Sequence, residues 1–211
     1  MSVKDQLATS LGRRDEAPNQ ELARAIAAAS DREAVAELVR LLFSKDKNYQ
    51  ADALKTLYET GYLNPALIAS HWQSFLNLLS SKNNRLVWGA MIALHTISPV
   101  KPDETFQNLS TILETADKGS VITRDAAVGI LINLTGHEKF AQTTFPLLLD
   151  QLLKCPPNQL PMYAENAVGI VATPDQKKAL AGVLHERRAD LPKESQLKRL
   201  EKVLRKLEKI K

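Results

Sequence analysis

A pattern of small and apolar residues returns every 37 residues along this chain, and that period restricts its architecture more than any other feature. Ala53, Ala90, Ala127 and Ala164 fall in one column. Leu57, Leu94, Leu131 and Val168 stand four positions later, and Thr60, Ile97, Leu134 and Val171 three further on. The spacing i, i+4, i+7 is one face of an α-helix. A methyl side chain heading that face lets a neighbouring helix come close. A second apolar face precedes each of these in the same period. Its columns are Leu38, Phe75, Ile112 and Leu149, then Leu42, Leu79, Ala116 and Leu153 one turn later. These first helices are predicted over roughly 31–44, 66–80, 103–116 and 141–154. Prolines at Asn64-Pro65, Lys101-Pro102 and Pro156-Pro157 mark the joints. Asp31 and Asp103 read as N-caps, and Gly61 and Gly136 as C-terminal stops.

Two helices per unit and no strand predict an all-α chain. The expected form is a right-handed α-α superhelix, a HEAT-like solenoid of about four full 37-residue hairpins from Asp31 to Thr173, plus end units. One hairpin cannot bury its own apolar face, so stacking is what makes the core continuous. Helix 20–29 is expected as a half unit, and helices 174–188 and 193–210 as a degenerate fifth. The implied division is 1–18, a short N-terminal helix (about 2–11) with a linker, and 19–211, the repeat domain closed by the basic helix 193–210. Within the polar stretch GRRDEAPNQ, Asn19 reads as an N-cap. That stretch is either a solvated linker or a partner-docking segment. The period and helix pairing resemble the HEAT and armadillo class. The stretches LGRRDEAPNQELA, GYLNPALIA and SKNNRLVWGAMIALHTI are similar to a family of short bacterial and archaeal HEAT-repeat proteins without an assigned activity. That resemblance implies a prokaryotic cytosolic repeat protein, and it supplies no catalytic residue.

Composition agrees with a cytoplasmic globular protein. A single cysteine excludes an intramolecular disulfide framework. No apolar run approaches the roughly 20 residues of a membrane span, and MSVKDQLATS lacks the apolar stretch of a signal peptide. The formal charge of +4 is unevenly placed: residues 193–211 hold 8 basic and 3 acidic side chains, and the remainder is close to balanced. A balanced body carries no broad phosphate-attracting field. The last helix shows Leu197, Leu200, Leu204 and Leu207 as a packing stripe, with Lys198, Lys202, Arg205, Lys206 and Lys209 opposite. It reads as a polar cap on the array, or as a basic surface for acidic protein, nucleic acid or membrane.

Motifs of catalysis are absent: no GxxxxGK[ST], GxGxxG, GxSxG, HExxH or CxxC occurs. Cys155 has no neighbouring histidine and reads as an inert thiol. His137–Glu138 and His185–Glu186 resemble the iron-binding pairs of deoxyhypusine hydroxylase, a HEAT-like enzyme. They lie 48 residues apart, out of register with the repeat, so no metal or other cofactor is expected. Trp88, with Asp125 one period on, resembles the Trp and catalytic Asp of alkyl-purine DNA glycosylases, but their local motif is missing.

If the alanine column faces the core, positions two before, two after, five before and six after it point away. Lys55, Arg85, Trp88, Asp125, Asn133 and Asn166 belong to that set and are the candidate partner-binding residues. Arg85 and Trp88, one turn apart, are the expected anchors, since Trp and Arg carry much interface energy. The alternative for Trp88 is packing against the neighbouring repeat, between Ala51 and Asp125. Gly89 and Gly129 fit either close helix packing or access for a partner. The expected function is a non-catalytic scaffold binding protein or peptide in a concave groove. The alternative is a nucleic-acid-binding or DNA-repair protein, glycosylase-like, on the same fold.

Overall fold

The computed structural model describes residues 2–209. Among them every regular element is helical, and none of the helices is long and apolar enough to cross a membrane. The chain separates into two compact units, Met1–Ala127 and Val128–Lys211.

In the first unit, α1 (Ala17–Ala29) is followed by the hairpin α2 (Arg32–Leu41) and α3 (Lys47–Leu63). The second hairpin pairs α4 (Pro65–Ile68) and α5 (Trp72–Leu78) with α6 (Asn84–Ile97). The third begins with α7 (Pro102–Gln107) and α8 (Leu109–Lys118) and enters α9 (Val121–Thr135), inside which the division falls. The expected first helices of the second and third hairpins are therefore each broken in two. A 3-10 turn at Ala69–His71 interrupts one and Asn108 the other. Helix α3 packs against α1, α2 and α6, and α5 against α6.

The predicted columns form the core. Ala53, Ala90 and Ala127 are fully buried, as are Leu57, Leu94, Thr60, Ile97, Leu38, Phe75 and Ile112. Thr60 tolerates this because its hydroxyl donates to the Thr56 carbonyl at 2.8 Å. The Asp31 carboxylate caps α2 by accepting from the Ala34 N–H at 2.9 Å. Asp103 is no cap: it lies in the first turn of α7, behind Lys101. Gly61 is no stop either, since α3 runs on to Leu63. It marks a close approach, because a Cβ there would stand 2.2 Å from Thr96 Oγ1 and 2.7 Å from Ile68 Cδ1.

The N-terminal segment departs from expectation. In place of a helix over 2–11 there is one 3-10 turn, Lys4–Gln6, and a chain of turns ending at Gly12, whose φ of 66° suits glycine. The segment is nevertheless anchored. Leu7 is fully buried, the Ala8 N–H donates to Asn19 Oδ1 at 3.0 Å, and the Thr9 N–H donates to Asp52 Oδ2 at 2.7 Å. Asn19 is not an N-cap. Helix α1 starts two residues before it, and its buried amide also donates to Asp52 Oδ1 at 2.9 Å.

The second unit contains the rest of α9, α10 (Glu138–Lys154), α11 (Leu160–Ala167), α12 (Pro174–Arg187) and α13 (Glu194–Lys209). Residue 210 of the expected last helix lies outside the described residues. Helix α10 packs against α11 and α12, and α13 against α11 and α12. Ala164, Leu131 and Leu134 are fully buried. The fourth first-helix column is displaced by one residue. Leu148 and Leu152 are fully buried, while Leu153 is exposed and Leu149 half-buried. Phe140, Thr144, Leu148 and Leu152 are spaced four apart along α10, and that face sets its orientation. In α13 the buried stripe is Leu200, Val203 and Leu207, with Leu197 and Leu204 half-buried, so the helix is turned from the expected seam.

A candidate binding cleft in the first unit

Helices α3 and α6 lie side by side, and on their flanks away from the alanines they form one wall of a cleft of about 360 Å³. Ala51, Lys55 and Tyr58 come from α3, Arg85, Trp88 and Ile92 from α6, and Ile122 from the start of α9. The opposite wall is the N-terminal stretch Arg13–Glu16. A volume near 360 Å³ lies at the lower end of the range for ligand sites. Five of the positions that face away from the alanine column in the first two hairpins meet here: Ala51, Lys55, Arg85, Trp88 and Ile92. Thr96, in the same periodic set, is instead buried against Gly61.

Of the six candidate residues, the structure brings together Lys55, Arg85 and Trp88. Asp125 is half-buried and does not line the cleft, so the pairing of Trp88 with an acid one period on is not realised there. Asn133, half-buried, and Asn166, exposed, belong to the second unit.

Lys55 is far from a free surface lysine. Its side chain is 13% exposed, and its ammonium sits 2.8 Å from Glu16 and 2.7 Å from Glu59, over the Tyr58 ring at 4.9 Å. Burial pulls its pKa down, but hydrogen bonds to the two carboxylates outweigh that and hold it above the ordinary lysine value. Burial raises Tyr58, against the opposing pull of Lys55. Arg13 donates twice to Asp15, both at 2.9 Å, and that pairing holds the Asp15 carboxyl below its usual value. Asp52 spends both oxygens on Asn19 and Thr9. Among the described residues the Arg14 and Arg85 guanidinium groups have no such partner, and both side chains are exposed. The backbone of Arg85 is fixed in the first turn of α6, where its N–H donates to the Asn83 cap at 3.1 Å.

Trp88 is half-buried and lines the cleft. Gly89 is explained by close helix packing: a Cβ would meet Leu54 Cδ2 at 2.5 Å. A second, shallower recess of about 590 Å³ shares Arg85 and adds Lys47, Lys82 and Asn83. Sequence reasoning placed the α3 and α6 positions and offered GRRDEAPNQ as a linker or a docking segment, but no signal joined Arg13–Glu16 to the α3 and α6 face.

Among the described residues no group of three or more His, Cys, Asp and Glu is placed to hold a metal ion. Cys155 is buried, donates its thiol to the Leu152 carbonyl, and is pushed up in pKa by burial.

No protein-family model matches the chain, and no curated protein matches it. Solved structures do. A designed armadillo repeat protein in complex with the peptide (KR)4 superimposes with a TM-score of 0.67 at 17% identity, covering 89% of this chain and 86% of its own. Computationally designed armadillo repeat proteins for modular peptide recognition give 0.63 at 15%, covering 97% and 98%. The archaeal HEAT-like repeats protein from Thermococcus onnurineus NA1 gives 0.51 at 14%, covering 92% and 97%. At these identities the likeness is one of fold, and it establishes the HEAT/armadillo-like helical-repeat architecture that the 37-residue period implied.

Proposed function

We propose that this protein is a non-catalytic scaffold that holds a protein or peptide segment in the cleft of its first unit. The observation that carries the reading is Trp88 beside a partnerless Arg85, in a cleft whose other charges, Arg14 apart, are already held by neighbouring groups. An aromatic and an arginine on adjacent turns are the residue types in which binding energy concentrates. A cleft with pinned walls loses little ordering entropy when it is filled. The neighbours described as designed for peptide recognition support the architecture as one able to hold a peptide. A cytoplasmic setting is part of the proposal and rests on Cys155 being a buried free thiol.

Nucleic acid is the competing ligand, favoured by Lys47 and Lys82 in the recess beside Arg85. The carboxylates of Asp15, Glu16 and Asp52 on the cleft walls count against it. The test is selection of randomised displayed peptides on the immobilised full chain. Enrichment of binders is expected, lost with Arg85→Ala, while the variant melts as the parent does. No enrichment above a blank surface, or binding of oligothymidylate with a steep salt dependence, rejects the scaffold reading.

A further inference from the structure

Resting on that reading, we infer that the segment held in the cleft is acidic, with a carboxylate taken by Arg14 and Arg85 and an apolar side chain set against Trp88. The argument is one of which charges remain. Every carboxylate lining the cleft is engaged: Asp15 by Arg13, Glu16 by Lys55, and Asp52 by Asn19 and Thr9. A basic segment would find only carboxylates already held by a cation or by N–H donors, and would face two guanidinium groups. The cations divide differently. Arg13 and Lys55 are engaged, while Arg14 and Arg85 are left over. A planar guanidinium with both edges open matches a carboxylate in a two-bond fork.

The two arginines come from separate parts of the chain, and the backbone at each is held in place. Arg85 stands on the first turn of α6, fixed by the Asn83 cap. Arg14 follows the turn at Gly12, where the Arg13 N–H closes onto the Ala8 carbonyl at 2.9 Å and the Arg13 side chain is tied to Asp15. The apolar part of the cleft, Leu54, Trp88, Ile92 and Ile122, adjoins these charges. Beyond Arg85, the neighbouring recess presents Lys47 and Lys82, which also have no carboxylate partner among the described residues. An extended acidic segment would thus meet further cations in that direction. A nucleic-acid strand fits less well. It brings a phosphate at every nucleotide past Asp15, Glu16 and Asp52, and the Tyr58 face it could stack on is covered by the Lys55 ammonium.

The test uses the full chain and three short fluorescein-labelled peptides, alternating Glu with Leu, Gln with Leu, and Lys with Leu, read by anisotropy. The Glu peptide is expected to bind at least about tenfold more tightly than the Gln peptide. Arg14→Ala and Arg85→Ala should each remove about tenfold from the Glu peptide, the lower end of what a hydrogen bond to a charged group contributes. Neither should alter the Gln peptide, and Arg40→Ala, exposed on α2 and outside the cleft, should alter none. A Lys peptide that binds as well as the Glu peptide, indifference to both arginines, or no binding by any of the three overturns the inference. If displayed peptides are nonetheless enriched in the selection above, the scaffold reading survives that outcome. Oligothymidylate displacing the Glu peptide from the same arginines overturns both.

Discussion

Replacing Arg187 should loosen the C-terminal end of α10. Arg187 is 8% exposed although it is charged, and all three of its guanidinium nitrogens donate. Nη1 donates to the Leu152 carbonyl at 2.7 Å and the Leu153 carbonyl at 2.5 Å, Nη2 to the Cys155 carbonyl at 2.9 Å, and Nε to Asp190 at 2.5 Å. The last carbonyls of a helix have no partner within it, and here one side chain from α12 serves two of them, Leu152 and Leu153, together with that of the cap residue Cys155. In Arg187→Ala, Asp190 and the carbonyl of exposed Leu153 can turn to water, but Leu152 and Cys155 are buried. The Cys155 carbonyl is then a buried acceptor without its partner, which costs about 1–3 kcal/mol; the Leu152 carbonyl keeps only the weak Cys155 thiol, and the lost packing of the aliphatic stem adds to the cost. The expected total is about 2–4 kcal/mol. Cys155 is the chain's one cysteine, so its labelling by a disulfide reagent reports opening at this joint directly. At about tenfold per 1.4 kcal/mol, labelling should accelerate by roughly 30- to 700-fold. Burial raises the thiol pKa and Arg187 opposes that rise, so losing Arg187 slows the intrinsic chemistry and makes the acceleration a lower bound. Arg187→Lys, with a single point charge, should fall between. Labelling of Arg187→Ala within about threefold of the parent, with an unchanged melting temperature, would refute the capping argument.

Two glycines should respond oppositely to alanine. Gly89→Ala drives a Cβ to 2.5 Å from a Leu54 side chain that is itself buried, so it should destabilise by about 1–3 kcal/mol despite its better helix propensity. Gly182→Ala, in α12 with nothing within 4 Å, should stabilise by about 0.5–1 kcal/mol; melts in the reverse order would refute both. Lys55→Ala, harmless if Lys55 were a solvated lysine, should cost about 1–3 kcal/mol by urea titration because Glu59, 25% exposed, is left uncompensated; a change under about 0.5 kcal/mol contradicts this. The Arg199 hydrogen bond lowers the Glu165 pKa, so the pair's stability is present above the unfolded carboxylate value and is lost as pH falls through the lower folded one. Glu165→Gln should therefore cost less than about 1 kcal/mol at neutral pH, and the gap to the parent should close below about pH 4; a gap that widens in acid would reject the assignment.

The second helices were legible because one residue type, alanine, recurs where backbones approach, and nothing local competes with that signal. The first helices were half legible. Ile68, Trp72 and Phe75 stay on one face through the turn at Ala69–His71, so periodicity cannot register the break. The N-terminal segment was illegible because its fixing bonds are long-range: Asn19 looks like a cap locally, yet its amide answers Asp52, 33 residues away. The same holds for the cleft. Arg85 and Trp88 followed from i, i+3 spacing on one helix, whereas Arg14 reaches the cleft only because the segment before it is anchored on α1 and α3. Arg187 reads in sequence as one more charge on a polar helix, and no spacing rule joins it to carbonyls some 30 residues earlier.

The one-residue displacement in α10 bears on how this chain could be lengthened. One residue of helix is a rotation of about 100°, enough to swing a leucine from the interior to the solvent. The second hairpin, whose Phe75 and Leu79 keep the common phase, is a module that a gene duplication or a protein engineer could copy in tandem. The fourth is not interchangeable with it, because its buried leucines sit one place early, at 148 and 152. Transplanted residue for residue into the second hairpin's frame, it would point Leu153 into the slot of Leu79 and Leu152 out of the array. A donor segment from that end of the chain must first gain one residue ahead of α10, so that its buried leucines fall where the common frame expects them.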